Sequence, residues 1–413
     1  MEWIIMITQI TWNIGEIIVN PQSFYWAIVL VVAFQYQRLA AQKARNFGLP
    51  RDPVVKPVLM ATGYGVLGGV VGSLLMLVVG IDLTETGIEY LWPLAIVLLL
   101  ISPRFLCFAY AGGIISISYL LFGFPQVDVV QLMGLVAILH LVESLLILLS
   151  GHLGAVPVYF KTAGGRIVGG FTLQKFWPIP LVALMAGYPW ADSIVLPGGL
   201  PLLQSGLASI DHGVIYSLMP VVAALGYGDM ALARTPVEKS RWSALYLSLY
   251  SISLLILAIL ASKWGFFAYL AALFGPLGHE LVIKVGREME LKGQPYFVPP
   301  GQGIKILDVV AGTPAYQAGL TGGDTILTIN RHPVNNLAQL EENLHLGGFL
   351  VELEYVKARG SGLQREIIKL RWGEPLGVIP VPEGYEGFYM ELREAGLLRG
   401  FWKKIKGGRS WRA

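Results

Sequence analysis

Several apolar runs long enough to cross a lipid bilayer limit what this chain of 413 residues can fold into more than any other feature. A helix needs about 20 mainly apolar residues to span the hydrocarbon core. With 54% hydrophobic and only 14% charged residues, the composition excludes a single soluble domain, a disordered chain and a nucleic-acid-binding protein. Nine spans are predicted, at 20–37, 57–80, 90–103, 105–124, 129–150, 177–190, 213–232, 242–261 and 264–283.

The expected number of spans is seven to nine, because 90–103 and 177–190 are short enough to be re-entrant or broken. With nine spans and the N-terminus outside, 13 of the 14 Lys and Arg residues of 1–284 fall on one side. The positive-inside rule assigns that side, and the C-terminal part with it, to the cytoplasm. Residues 3–19 mix apolar and polar side chains and are expected to form an interfacial helix rather than a cleaved signal peptide.

Charged residues divide the chain into two parts. Residues 1–284 contain 14 Lys and Arg and 13 Asp and Glu, which makes 27 charges, whereas 285–413 contain 16 and 14, which makes 30 charges in 129 positions. Only the second part has the charge content of a soluble protein. We therefore predict a polytopic α-helical membrane domain at 1–284, a cytoplasmic domain at 285–382 and a basic tail at 383–413. The tail interleaves aromatic and basic residues, which is typical of contact with anionic lipid or of a solvated segment.

The soluble part carries a motif with a fixed order of small residues. Short strand patterns and one amphipathic helix at 336–346 predict an α+β fold. The run G-I-x-I-x-x-V-x-x-G-T-P-A-x-x-A-G-L-x-x-G-D-x-I-x-x-I-N at 303–330 resembles a PDZ domain, which implies a small PDZ-like barrel. A glycine such as Gly319 suits a left-handed helix end, and Asp324 can bond to local backbone. The motif residues are Gly312, Pro314, Ala315, Ala318, Gly319, Leu320, Gly323 and Asp324.

The PDZ resemblance implies a groove in which an extended peptide adds a strand to a sheet edge. Two stretches could supply the glycine loop that receives a terminal carboxylate, 375–379 and 299–303, and the more hydrophobic 375–379 is favoured. The alternative is that 376–379 is only a closing strand. Asn330-Arg331 departs from the usual Asn-Gly and should alter that turn. The predicted groove residues are Leu376, Gly377, Val378, Ile379, Leu340 and Leu344, with His345 as a further candidate.

The membrane part offers few residues for catalysis. An intramembrane zinc protease needs H-E-x-x-H, but His279-Glu280 is followed by Ile283 in place of the second histidine. We therefore predict no catalytic residues, no metal and no cofactor, and interpret His279 and Glu280 as a polar cap or a contact with other spans. His140 and Glu143, three residues apart on one face of a predicted span, indicate either a hydrogen-bonded pair or a transport path.

Several segments together resemble the MinJ-like family of cell division topological determinants of Gram-positive bacteria. They are Asn20-Pro-x-x-Phe-Tyr-Trp26, Leu277-Gly-His-Glu280, Gly286-Arg-Glu-Met-Glu290 and Leu376-Gly-Val-Ile-Pro380. The resemblance implies a non-enzymatic scaffold in the bacterial cell membrane, at the division septum and poles, with DivIVA-like and MinD-like proteins as partners and possible self-association. The alternatives are a relative of PDZ-containing membrane proteases without its zinc site, and a transporter that uses His140 and Glu143.

Overall fold

Most apolar segments of the first 293 residues are helices in the computed structural model. The helices α1 to α8 are Glu2–Val19, Phe24–Phe47, Val55–Val79, Ile88–Ile101, Phe108–Phe122, Val129–Ser150, Pro236–Ala261 and Phe266–Lys292, with a 3-10 turn at Pro103–Leu106. The structure describes residues 2–49, 51–84, 86–162, 164–186, 193–194, 202–203, 216–346, 349–358, 360, 362–371, 374–384 and 389–391. The basic residues of the tail from Arg393 onwards lie outside this part of the chain.

Among the described residues, five helices are long and apolar enough to cross a membrane: α2, α3, α6, α7 and α8. Helix α1 covers the predicted interfacial segment, and α4 and α5 have only 14 and 15 residues. Each of these two is shorter than the roughly 20 residues that a straight crossing needs. The helical character predicted for the N-terminal region is confirmed.

Two of the predicted spans are strands, not helices. The strands here are β1 Val156–Lys161, β2 Ile167–Ala186, β3 Ser193–Ile194 and β4 Tyr216–Ala231. The prediction of helices at 177–190 and 213–232 is therefore wrong for the described part of both segments. Pro178 and Pro180 explain the first case, since proline removes a hydrogen-bond donor and clashes inside a helix. Apolar length alone does not distinguish a buried strand from a helix.

Glycines on α3 allow strand β2 to approach the helix backbone directly. A Cβ at Gly65 would lie 2.1 Å from the carbonyl oxygen of Pro178, and one at Gly69 would lie 2.0 Å from that of Pro180. The buried Ser73 hydroxyl, one turn further on, accepts the Val182 N–H at 2.8 Å. Neighbouring glycines of α3 contact α6. Glycine is therefore required on two faces of α3 because no side chain fits there.

The chain divides into two compact units, Met1–Val156 with Thr172–Gly293 and Pro157–Phe171 with Gln294–Ala413. The second unit contains β5 Ile304–Val309, α9 Pro314–Gln317, β6 Thr325–Ile329, β7 His332–Pro333, α10 Leu337–Leu346, β8 Leu350–Val356, β9 Leu363–Lys369, β10 Val378–Pro380 and β11 Met390–Glu391. Its main sheet has the order β10-β5-β6-β8-β9, with β7 paired to β6. The predicted α+β fold is confirmed, but the strand path is open, so the described residues do not form a closed barrel.

Three of the motif residues, Ala315, Gly319 and Asp324, have clear roles in the fold of this unit. Gly319 has a φ of 74° at the end of α9, and Ala315 is fully buried in the core of the unit. The buried carboxylate of Asp324 accepts the N–H groups of Thr321 at 2.9 Å and Ala358 at 2.9 Å, and it pairs with Lys357 at 3.1 Å. A buried charge with this many partners fixes the turn before β6.

The Asn330-Arg331 turn keeps the two-residue form despite its sequence. Both residues have positive φ, 51° and 67°, and Ile329 pairs with His332 across the turn. Positive φ at both central positions is the geometry for which Asn-Gly is preferred. The departure at Arg331 therefore leaves the turn intact at the cost of a strained backbone.

An internal segment, 157–171, belongs to the second unit, which the sequence did not indicate. The Gly169 N–H donates to the Phe297 carbonyl at 3.0 Å, and the Tyr159 hydroxyl donates to the Pro380 carbonyl at 2.9 Å. Lys305, on β5, donates to the Tyr296 carbonyl at 2.9 Å, and burial lowers the pKa of its ammonium group. The unit is thus assembled from two separate parts of the sequence.

The contact between α3 and β2 predicts different effects for two alanine substitutions on the same helix. Gly69→Ala should destabilise the chain by about 1–3 kcal/mol or more, because the new Cβ meets backbone that cannot yield. Gly63→Ala is the matched control, since a Cβ at that position would have nothing within 4 Å. Thermal denaturation of the full chain in detergent should show a lower Tm for Gly69→Ala only. Equal Tm values for the two variants would contradict the close contact.

Candidate functional site

Strand β10 lies at one end of the sheet order, so only one of its sides is paired within the described main sheet. Its partner is β5, with Val378 opposite Val309. The Gly377 carbonyl accepts the Val310 N–H at 2.9 Å, and the Val381 N–H donates to the Lys305 carbonyl at 2.8 Å. Because backbone groups alternate in direction along a strand, those of Val378 and Pro380 face away from β5.

The loop before β10 directs two N–H groups outwards. The Leu376 carbonyl accepts from Ala315 at 3.0 Å, and the Gly377 carbonyl accepts from Val310 at 2.9 Å. In a trans peptide the N–H points opposite to the C=O. The N–H groups of Gly377 and Val378 therefore point away from α9 and β5. Two adjacent N–H groups with this orientation can receive an anion such as a carboxylate.

Glycine is required at position 377. Its φ is 83°, and a Cβ there would lie 2.2 Å from Oγ1 of Thr313. Thr313 occupies the N-cap position of α9, but its hydroxyl donates to the Val310 carbonyl at 2.7 Å instead of capping the helix. The threonine and the glycine thus fit against each other, and any side chain at 377 would move the loop.

The predicted groove residues fall into three groups. Leu340 and Leu376 are buried in the core of the unit, and Leu344 and Val378 are partly buried against them. Ile379 is also buried but lies on the opposite face of β10, since side chains alternate along a strand. Leu344 and Val378 are therefore the side chains placed to contact a ligand. The backbone groups of Ile379 face β5, where it is paired with Asp308, so this residue contributes neither side chain nor backbone to the groove.

The groove is short. Pro380 has no N–H to donate, and its carbonyl already accepts the Tyr159 hydroxyl. Just beyond β10, the Glu383 carboxylate accepts the Leu337 N–H at the start of α10, at 3.1 Å. These contacts leave Val378 as the one residue of β10 with both backbone groups directed at the free edge.

The rival glycine loop at 299–303 leads into β5, which is paired with β10 on one side and with β6 on the other, so it offers no free strand edge to a ligand. Pro299 and Pro300 have no N–H, and the Gly303 N–H donates to Oδ1 of Asn335 at 3.0 Å. The geometry therefore favours 376–379 for the carboxylate loop.

The polar residues of the membrane part meet in two neighbouring groups. Glu280 forms an ion pair with Arg104 and accepts a hydrogen bond from Tyr110 at 2.7 Å, so it contacts other elements as one of the sequence interpretations expects. His279 and His140 have ring centroids 5.1 Å apart. Glu143, which the sequence places on the same helix face as His140, is half-buried. Among the described residues, the His140 ring contacts Cys107 and the Val136 carbonyl but not the Glu143 carboxyl group.

The sequence did not indicate that Cys107 joins these histidines. Its sulfur lies 3.0 Å from Nε2 of His140 and 3.6 Å from Nε2 of His279. The three residues are far apart in the chain and follow no ligand spacing, so no motif search could have found the cluster. Spacing along the chain gives His279 no companion metal ligand, whereas the fold brings two candidate side chains beside it.

Comparison with known proteins shows that the chain carries a PDZ domain, since residues 281–352 match the family described as PDZ domain. The predicted resemblance to MinJ is confirmed. The chain is 22% identical over 219 residues to the cell division topological determinant MinJ of Bacillus subtilis (strain 168), which covers 51% of this chain and 51% of MinJ. It is 41% identical over 61 residues to the periplasmic pH-dependent serine endoprotease DegQ of Escherichia coli (strain K12), or 15% of this chain and 13% of DegQ.

The chain therefore spans about half the length of MinJ and a small part of DegQ. The name of MinJ is that of a division determinant and not of an enzyme. The match to the PDZ family ends at residue 352, before β10, so only the geometry supports 376–379 as the carboxylate loop.

Two glycines with left-handed backbone test the loop. Gly377→Ala and Gly312→Ala introduce the same backbone strain, because φ is 83° and 81°, but only the Cβ at 377 meets another atom. We expect both to destabilise the unit by about 1–2 kcal/mol, and Gly377→Ala by about 1–3 kcal/mol more. Urea denaturation of the full chain measures the difference. Equal losses would show that the loop does not pack against Thr313.

Proposed function

We propose that the chain is a membrane-anchored adaptor whose PDZ domain binds the C-terminal peptides of partner proteins between β10 and α10. The observation that carries the proposal is the outward direction of the Gly377 and Val378 N–H groups at the end of an edge strand. A terminal carboxylate would accept these two hydrogen bonds. An apolar last side chain would then contact Leu344 and Val378, which lie above the buried Leu340 and Leu376.

The apolar helices supply the anchor. Five helices of sufficient length support a multi-pass protein. With these five as spans, 12 of the 14 Lys and Arg residues of 1–284 lie on the side of the PDZ domain, with Arg104 and Lys263 opposite, which supports a cytoplasmic PDZ domain. Confinement to the membrane raises the effective concentration of the groove towards partners on the same membrane. A modest affinity for a short peptide would therefore suffice for recruitment.

Similarity to MinJ supports a role in cell division. We extend the proposal to action at the division septum and poles, where the adaptor would connect DivIVA-like with MinD-like proteins, as the family resemblance of its sequence implies. Its action is recruitment without catalysis: the similarity to DegQ covers only 61 residues, and H-E-x-x-H is incomplete at Ile283. A stretch as short as this carries the binding module and not the protease.

The groove accepts only the end of a peptide. Beyond Val378 the strand offers no further N–H until after Pro380, and the Pro380 carbonyl is held by Tyr159. Pairing with β10 is therefore limited to the last residues of the ligand. An internal strand of a partner would find neither a carboxylate to place in the loop nor a long edge to pair with.

Peptide binding to the full chain in lipid nanodiscs tests the carboxylate loop. A random library of peptides with free C-termini is captured first, and the best binder is then compared with its C-terminal amide. We expect the amide to bind at least about 10-fold more weakly, because two charge-assisted hydrogen bonds are lost.

Leu344→Gln should lower the affinity for the same peptide by about 10-fold, since it places a polar amide where an apolar side chain of the peptide would dock. Leu346→Gln is the control on the same helix, since Leu346 is 74% exposed. Equal affinity of the free-acid peptide and its amide would overturn the assignment of the carboxylate loop. Equal effects of Leu346→Gln and Leu344→Gln on affinity would overturn the assignment of the groove.

A length series tests how far the peptide pairs with β10. Affinity should stop rising after about the last three residues, because only one residue of β10 has both backbone groups available. Tyr159→Phe frees the Pro380 carbonyl, so it should strengthen a six-residue peptide about 2- to 10-fold and leave a three-residue peptide unchanged. A steady gain with length in the unsubstituted chain would contradict the short groove.

A further inference from the structure

We propose that Cys107, His140 and His279 bind a zinc-class metal ion inside the first unit. One donor atom from each residue lies within 4.8 Å of the other two. The three come from different places in the fold: the N-terminal end of α5, the middle of α6 and the middle of α8. A thiolate with two imidazoles is a donor set that selects zinc or a similar transition metal over Mg²⁺ and Ca²⁺.

The two distances from sulfur to nitrogen are close to those of a tetrahedral site. With Zn–S of about 2.3 Å and Zn–N of about 2.0–2.1 Å, sulfur and nitrogen ligands lie about 3.6 Å apart. The sulfur of Cys107 is 3.6 Å from Nε2 of His279 and 3.0 Å from Nε2 of His140. One contact already has the required length, and the other needs to lengthen by roughly half an ångström.

The orientation of His140 suits a ligand. Its Nδ1 lies 2.7 Å from the carbonyl oxygen of Val136, which can only accept a hydrogen bond. The proton of the neutral ring therefore sits on Nδ1, and the lone pair on Nε2 faces the sulfur of Cys107. A backbone carbonyl bound to the second ring nitrogen is the usual outer-shell contact of a metal-bound histidine. The ring is only 3% exposed.

Cys107 would supply the thiolate ligand of the ion. It is the N-cap residue of α5, and its sulfur accepts the Ala109 N–H at 3.4 Å. The partial positive charge of a helix N-terminus stabilises a negative sulfur. A coordinating cation removes the thiol proton, so the sulfur would be an anionic ligand once the ion is bound.

Charge balance gives Glu143 a role. A divalent ion bound by one thiolate keeps a single positive charge, which is costly in apolar surroundings. Glu143 lies one turn from His140 on α6, close enough to Cys107 to interact with it electrostatically. Its carboxylate would neutralise the remaining charge. Arg104 is unavailable to balance Glu143, since it pairs with Glu280.

Aromatic rings line the site. Tyr250 packs edge-on against both histidines, at 5.5 Å and 5.7 Å between ring centroids, and Tyr110 lies 5.5 Å from His279. Among the described residues, the cluster holds three ligand side chains, which leaves the fourth position to a small ligand such as water. The ion would connect α5, α6 and α8 and so stabilise the first unit.

Cobalt binding to the purified full chain tests the site. The chain is stripped with a chelator in detergent and titrated with Co²⁺, a spectroscopic substitute for zinc. We expect one equivalent to bind and to give a thiolate-to-cobalt charge-transfer band in the near ultraviolet. Zn²⁺ should displace the Co²⁺, raise the Tm of the chain and protect Cys107, the single cysteine, from a maleimide.

Substitutions separate this site from incidental binding. Cys107→Ser should lose the charge-transfer band. His140→Ala or His279→Ala should lower the affinity for Co²⁺ by more than the roughly 10- to 100-fold that loss of a residue hydrogen-bonded to a ligand costs. His152→Ala, also in the first unit, should bind like the unsubstituted chain. His279→Asn replaces His279→Ala if the latter fails to fold.

The unsubstituted chain decides the question by itself. A folded, chelator-treated chain that binds neither Co²⁺ nor Zn²⁺ stoichiometrically would overturn the site. So would a charge-transfer band that survives loss of both histidines, since the metal would then be held elsewhere. Peptide binding in the groove is measured separately and does not depend on either result.

Discussion

The direct contact between α3 and β2 is the constraint on which the first unit depends. An apolar chain gains little from burying more apolar surface inside a membrane, so its elements associate through close backbone approach and hydrogen bonds. Gly65 and Gly69 provide the approach, and the Ser73 hydroxyl accepts the Val182 N–H within it. These contacts hold β2 along α3 over several residues. One methyl group at Gly65 or Gly69 would be enough to prevent this close approach.

In the second unit a comparable constraint acts on a few peptide bonds. Two carbonyl groups that bond inwards, at Leu376 and Gly377, turn the following N–H groups outwards, and this needs the positive φ of Gly377. The carbonyl groups of these two peptide bonds thus stabilise the fold, and their N–H groups are the ones proposed to bind the ligand. The specificity proposed for the groove follows from the end of the strand, where Pro380 and Tyr159 remove the groups that would pair with a longer ligand.

Local features could be predicted from the sequence, and features that join distant segments could not. The run from Gly303 to Asn330 predicts strands, helix and turn correctly because each glycine, proline and small residue there has a local conformational cause. The helix predicted over β2 is wrong because the apolar length of this strand resembles that of a span, although Pro178 and Pro180 are signals against a helix. The segment 157–171 and the cluster of Cys107, His140 and His279 depend on contacts that no spacing records.

The way β10 ends also has a consequence for the behaviour of many copies on one membrane. An exposed strand edge invites pairing with the edge of a neighbouring molecule, and crowding in two dimensions increases that risk. A proline at 380 and a carbonyl occupied by Tyr159 interrupt the row of groups that such pairing requires. The interruption that limits how many ligand residues pair with β10 would also keep neighbouring domains from polymerising edge to edge.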